Sequence, residues 1–164
     1  MGGAHDYSKD EGRRFFCRYN GKKYYMACHK FYENDIYDKE STKIIFHTNH
    51  TLYGENFSYE SFENGKFCLY YKDEKDGMKN WMLFIYKQEN IDNFTPVFHK
   101  NKCSHFIMEN AENNYFYIKE LQYNAYLYLN KHKKRDSNNF GTSFYAGATL
   151  ERNRATKFKY KDNE

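Results

Sequence analysis

Hydrophobic and polar positions along this chain alternate over short runs, and no segment sustains apolar residues at the 3, 4, 7 spacing of a helix over three turns. Between Cys103 and Asn130, Tyr115, Tyr117 and Leu121, then Tyr126 and Tyr128, fall at the roughly two-residue spacing that places side chains on one strand face. Asn113-Asn114 and Gln122-Tyr123-Asn124 break that stretch into three strands. Earlier, Arg13–Arg18 and Lys23–His29 read as strands around Asn20-Gly21, the strongest short hairpin signal. Lys43–Thr48, Leu52–Ser61, Lys66–Tyr71 and Trp81–Lys87 follow, with a turn at Glu63-Asn64-Gly65. Lys72–Lys79 and Gln88–Pro96 read as polar loops. Cys103–Met108 is expected to play the part that Lys43–Thr48 plays earlier. After Ala125–Asn130, residues Lys131–Gly147 read as a basic and then Gly/Ser/Asn-rich loop, and Ala155–Tyr160 as the closing strand.

The strands recur. Asn56–Tyr70 lies over Asn114–Tyr128, and Gly21–Met26 matches Gly65–Tyr70 as a shorter third copy. Units too small to bury a core alone must pack together. Regularly spaced short strands with turn signals therefore predict an all-β sandwich or barrel.

Composition narrows this reading. The 164 residues, 40% hydrophobic, suit one domain at residues 13–160, between a polar arm at 1–12 and a tail at 161–164. Tyr (18) and Phe (15) supply much of the apolar surface, and rings pack well on pleated sheets. No apolar run approaches the roughly 18–20 residues needed to span a bilayer, so membrane insertion is not expected. The N-terminus, Met1–Gly12, has no apolar core of a signal peptide. The chain is thus read as cytosolic, or as a form from which a signal has been removed.

Charge is uneven. Between Lys131 and Lys159, eight basic residues face Asp136 and Glu151, a net of +6, whereas the whole chain carries +4, so the remainder sums to −2. Such concentration predicts an anionic partner: sulfated polysaccharide, nucleic acid or acidic lipid. No nucleic-acid reader motif accompanies it, so nucleic acid is the weaker choice. Cys17, Cys28, Cys68 and Cys103 are widely spaced without a CxxC, which argues against zinc and thioredoxin-like chemistry. They allow three disulfide pairings, and buried free thiols remain equally open. His47-x-x-His50 lacks an acidic or thiol partner at metal-binding spacing. No GxSxG, HExxH or phosphate-cradling glycine loop is present, so neither catalysis, cofactor nor metal is expected. Asn49, Asn56 and Asn93 head glycosylation sequons.

Several motifs resemble the fibroblast growth factors. Arg14–Arg18 looks like the opening "leucine-tyrosine-cysteine-arginine" strand of that family. Asn56–Ser61 followed by Gly65–Tyr70 is similar to its central hairpin. Cys103–Phe106 and Glu112–Tyr115 resemble its cysteine-x-phenylalanine and glutamate-asparagine-x-tyrosine, and Asn124–Lys131 resembles its next strand. The resemblance covers most of residues 13–160.

It implies a β-trefoil of about twelve strands in three pseudo-repeats. It further implies a secreted signalling ligand that binds a receptor tyrosine kinase ectodomain together with heparan sulfate. The implied heparin-binding set is Lys131, Lys133, Lys134, Arg135, Arg152, Arg154 and Lys157, where guanidinium forks and ammonium groups meet regularly spaced sulfates. The implied receptor contacts are Tyr19, Tyr24, Glu109, Asn113, Asn114 and Tyr115, tyrosine suiting an interface through its large area and polar tip. Two alternatives share the fold: an intracellular, non-signalling module that binds actin or carbohydrate, and an interleukin-1-like cytokine.

Overall fold

In a computed structural model, residues 14–28, 41–48, 58–73, 79–89, 93–138 and 141–160 are described. They form twelve strands: β1 (Phe15–Tyr19), β2 (Lys22–Cys28), β3 (Ser41–His47), β4 (Ser58–Ser61), β5 (Phe67–Asp73), β6 (Lys79–Lys87), β7 (Phe94–His99), β8 (Phe106–Asn110), β9 (Phe116–Glu120), β10 (Ala125–Asn138), β11 (Gly141–Thr149) and β12 (Lys159–Tyr160). Among the described residues the only helical turns are single 3₁₀ turns at Glu63–Gly65, Glu112–Asn114 and Arg152–Arg154. The all-β expectation holds.

Every pairing is antiparallel, and β10, β9, β8, β5, β6, β7, β3 and β11 close an eight-stranded ring. Closure leaves no free edge within the ring. Successive sets of four strands repeat the same partners. Hairpins β2–β3, β6–β7 and β10–β11 recur, and their second strands β3, β7 and β11 pair with one another around a triangular junction. The joins β4–β5, β8–β9 and β12–β1 recur likewise. A bridge between Phe116 and Phe158, with N–H to O distances of 3.0 and 2.8 Å, ties the last strand to β9.

Asparagine makes the turns. Asn20, Asn64, Asn113, Asn114 and Asn124 all take φ between 50 and 66°, the left-handed region in which asparagine is several-fold enriched. At Phe62–Lys66 and Ala111–Tyr115 the turns share one backbone geometry and hydrogen-bond pattern. Asn64 has φ 62°, ψ 30° and Asn113 has φ 60°, ψ 35°. The N–H of Phe62 donates to Lys66 O and that of Ala111 to Tyr115 O, both at 2.8 Å.

This geometry corrects the sequence reading of the repeat. Glu63-Asn64-Gly65 is equivalent to Glu112-Asn113-Asn114, whereas the expected overlay set it against Leu121–Tyr123. Gly21 lies in the turn between β1 and β2 and Gly65 in the turn between β4 and β5, so those two glycines mark different joins. The sequence overlay slid by one hairpin because every hairpin here has an Asn turn followed by aromatics. Two further readings are corrected. Residues Lys131–Gly147 are not a loop: β10 continues to Asn138 and β11 returns from Gly141. Charge and Gly/Ser content hid strands whose ladder partners are supplied by the hairpin itself. Residues Phe94–His99 form β7, and this strand, not Cys103–Met108, is the counterpart of β3.

The core collects one face of each strand. Phe15, Met26, Phe46, Leu69, Leu83, Phe98, Phe106, Ile118, Leu127 and Phe158 are all fully buried in one cluster. On β9 and β10 that face carries Phe116, Ile118, Ala125 and Leu127, so Tyr117 and Tyr126 pack on the outside of the sheet. The buried carboxylate is bonded. Glu120, 1% exposed, accepts from the N–H groups of Gln122 and Tyr123 at 2.9 and 2.7 Å and so clamps the β9–β10 turn.

Candidate functional site

Two sequence-predicted candidates, Glu109 and Arg152, converge on the outer face of β8, β9 and β10 and the turn before β12. Glu109, on β8, sits at the centre. Its carboxylate accepts from the Tyr126 hydroxyl at 3.0 and 3.2 Å and from Arg152 Nε at 2.8 Å, and Lys119 Nζ lies 3.5 Å away. The Arg152 guanidinium stands over the Tyr117 ring at 4.6 Å, Lys119 over Tyr126 at 5.6 Å, and the two rings meet edge-on at 5.9 Å. Burial alone would raise the Glu109 carboxyl, but hydrogen bonds from Arg152 and Tyr126 and the charge of Lys119 outweigh it and hold the group below its ordinary value. Burial and the carboxylate partner push the Tyr126 hydroxyl upward. The result is a platform of two buried tyrosine rings, covered by Arg152 and Lys119 and edged by both signs of charge.

Asn113 and Asn114 are exposed beside this platform in the β8–β9 turn. Tyr115 is half-buried under Lys159, whose Nζ lies 4.6 Å from the ring centre. Lys157 bonds to Glu112, which lowers that carboxyl and raises the lysine. Tyr19 and Tyr24 lie elsewhere and do not join the platform residues. Tyr24 is only 4% exposed and packs edge-on against Phe144 at 5.4 Å, so its ring is committed to the core, and Tyr19 leans half-buried on the same phenylalanine at 5.5 Å.

The basic residues divide into two groups. Arg152, Arg154 and Lys157 each face a carboxylate, Glu109, Glu151 and Glu112 respectively. Lys131 and Lys133 are exposed on the β10–β11 ribbon. Lys134 and Arg135 continue β10 opposite Phe144 and Ser143; their side chains lie outside the described residues. Lys133 also borders a cavity of about 560 Å³ at the β3–β7–β11 junction, whose rim includes Lys43, Asn130 and Tyr145. Lys43 Nζ lies 4.8 Å from the Tyr145 ring centre.

Other predicted positions scatter. Asn93 is exposed and bonds to Gln88 at 3.0 Å, whereas Asn49 and Asn56 fall outside the described residues, as do the 1–12 arm and the 161–164 tail. His47 is buried and His50 is outside them. Cys17 is a buried free thiol whose titration burial pushes far up. Sequence reasoning missed one cluster entirely. The ligand atoms of Cys68, Cys103 and His105 lie within 4.8 Å of one another. Spacing had no means of showing this, because the two cysteines stand 35 residues apart and meet only through the β5–β8 pairing.

No family model and no curated protein matches this chain.

Proposed function

We propose that the fold is a β-trefoil and that the protein is a binding protein without catalytic chemistry. We propose further that it acts as a fibroblast-growth-factor-like extracellular ligand for a receptor tyrosine kinase and heparan sulfate. One observation carries the first step. Three consecutive four-strand sets share one pairing scheme around the β3–β7–β11 junction, the symmetry a trefoil requires. The second step rests on the motif resemblance, and on the position of its glutamate-asparagine-x-tyrosine turn beside a Tyr/Arg/Glu network in which Arg152 is exposed, Glu109 half-buried and the Tyr117 and Tyr126 rings buried. Tyrosine and arginine are the residue types that dominate interface hot spots.

The polyanion contact is assigned to the β10–β11 ribbon, with Lys131 and Lys133 at its described part and Lys43 across the cavity. Arg152, Arg154 and Lys157 contribute less, because each already has a carboxylate partner that a sulfate would have to displace. A second reading, an intracellular trefoil module, is favoured by one observation: Cys17 is a buried free thiol.

Retention on immobilised heparin across a salt gradient tests the contact. Lys131→Ala/Lys133→Ala is expected to elute at clearly lower salt than the parent, and Arg152→Gln/Arg154→Gln close to it. Elution of the parent at low salt, unchanged by the lysine variant, overturns the heparan-sulfate mechanism, since a real polyanion contact must weaken with both salt and lost charge.

A further inference from the structure

We propose that Cys68, Cys103 and His105 form a binding site for one thiophilic ion, Zn(II) being the best fit. Cys103 and His105 flank Ser104 just before β8, and with both exposed and Ser104 buried between them, their ligand atoms lie within 4.8 Å of each other. Ser104 points the other way and is locked there. It is 7% exposed, its N–H donates to Leu83 O at 2.9 Å, and its hydroxyl accepts from the Ile85 N–H at 3.0 Å. The His105 carbonyl is held from the far side by the Leu121 N–H at 3.0 Å, and the imidazole rests against the Phe62 ring at 4.8 Å. Upstream, the buried His99 accepts the N–H groups of Asn101 and Lys102 on Nδ1 at 2.9 and 3.1 Å, which fixes the entry to the segment. Cys68 arrives from β5, next to the Phe67–Phe106 register pair. Three potential ligands are therefore set by backbone bonds that owe nothing to the ligands themselves.

The sulfurs lie 3.1 Å apart and Cys68 Sγ also reaches Ser104 O at 3.5 Å. Tetrahedral thiolates at the usual Zn–S length of about 2.3 Å are separated by roughly 3.8 Å, so binding requires the sulfurs to part by several tenths of an ångström. Cys103, exposed and outside any strand, is the side chain free to make that movement. Two thiolates and one imidazole leave a fourth position open to water, and this donor set selects zinc over hard cations. As each Zn–S bond forms, its thiol proton passes to solvent, so uptake releases protons. A disulfide between the same cysteines would use the short sulfur contact but give His105 no role.

The test uses the full chain, reduced and stripped of metal by a chelator. Zn(II) is titrated against a chromophoric competitor, and Co(II) substitution is followed by absorption. The expected result is one ion per chain, with thiolate charge-transfer bands and the visible spectrum of tetrahedral Co(II). Cys103→Ser and His105→Ala, both at exposed side chains, should melt like the parent. Each should lose affinity by roughly tenfold or more, since losing even a hydrogen-bond partner of a ligand costs that much at metal sites. Protection of Cys68 from alkylation by bound Zn(II) supports the site without mutating a buried residue. Uptake that is indifferent to either variant overturns the proposal. So does a reduced protein that retains no ion and, on exposure to air, yields only a Cys68–Cys103 disulfide by intact mass.

Discussion

At the scale of single residues, Glu109 shows how a modest surface network gains definition. Its carboxylate meets a hydroxyl, a guanidinium and an ammonium, two of them also stacked on tyrosine rings. Because the folded protein holds this group below its ordinary value of 4.5, its contribution is complete above that value. It is lost as pH falls through the lower, folded one. Glu109→Gln is therefore expected to cost about 0.5–1.5 kcal/mol near neutral pH, the range for a partly exposed charge-assisted network. Denaturant unfolding of the variant should also show a shallower loss of stability below pH 4.5 than the parent. Equal acid limbs in the two proteins would remove Glu109 from the account.

Among the elements, the β10–β11 ribbon carries the proposed polyanion contact and also contains its own constraint. Tyr128 pairs with Gly147 across the ladder, and a Cβ on Gly147 would lie 2.5 Å from the Tyr128 ring. Glycine stands there so that the ring can lie flat over the neighbouring backbone. The same ring borders the junction cavity, and Arg154 lies 5.8 Å from its centre. Gly147→Ala should destabilise by about 1–3 kcal/mol through forced displacement of the ring. Adding Tyr128→Ala should recover part of that loss, a coupling readable in a double-mutant cycle. Additive losses would mean that the ring has another way out.

For the whole molecule, closure depends on segments far apart in sequence. β1 pairs with β12, and the Phe116–Phe158 bridge joins the last strand to β9. Phe158 is fully buried and stacks on Phe46 at 5.7 Å. Phe158→Ala should cost about 3–5 kcal/mol, the range for a large ring removed from a packed core. Unfolding followed by near- and far-ultraviolet signals should remain a single coincident transition, because the strands share one core. Two separated transitions would show that the closing seam unfolds independently of the rest.

Local signals were legible in the sequence wherever local chemistry decides the outcome. The strands read at Trp81–Lys87 and Asn114–Glu120, the Asn-Gly hairpin at residues 20–21 and the turns at 63–65 and 113–114 depend on runs of apolar and aromatic side chains and on asparagine's tolerance of positive φ. The family resemblance marked Glu109, Asn113, Asn114 and Tyr115 for a receptor and Arg152 for heparin, and did not place Arg152 beside Glu109. Only the tertiary structure decided which strands pair, that Tyr24 belongs to the core, and that Phe116 and Ile118 rather than Tyr117 face inward. Both faces of β9 are aromatic or aliphatic, so periodicity alone had no basis for choosing between them. Pairing is likewise silent in sequence because backbone ladders carry no side-chain code. That is why the β10–β11 ribbon read as a loop, and why Cys68 reached Cys103 and His105 unannounced.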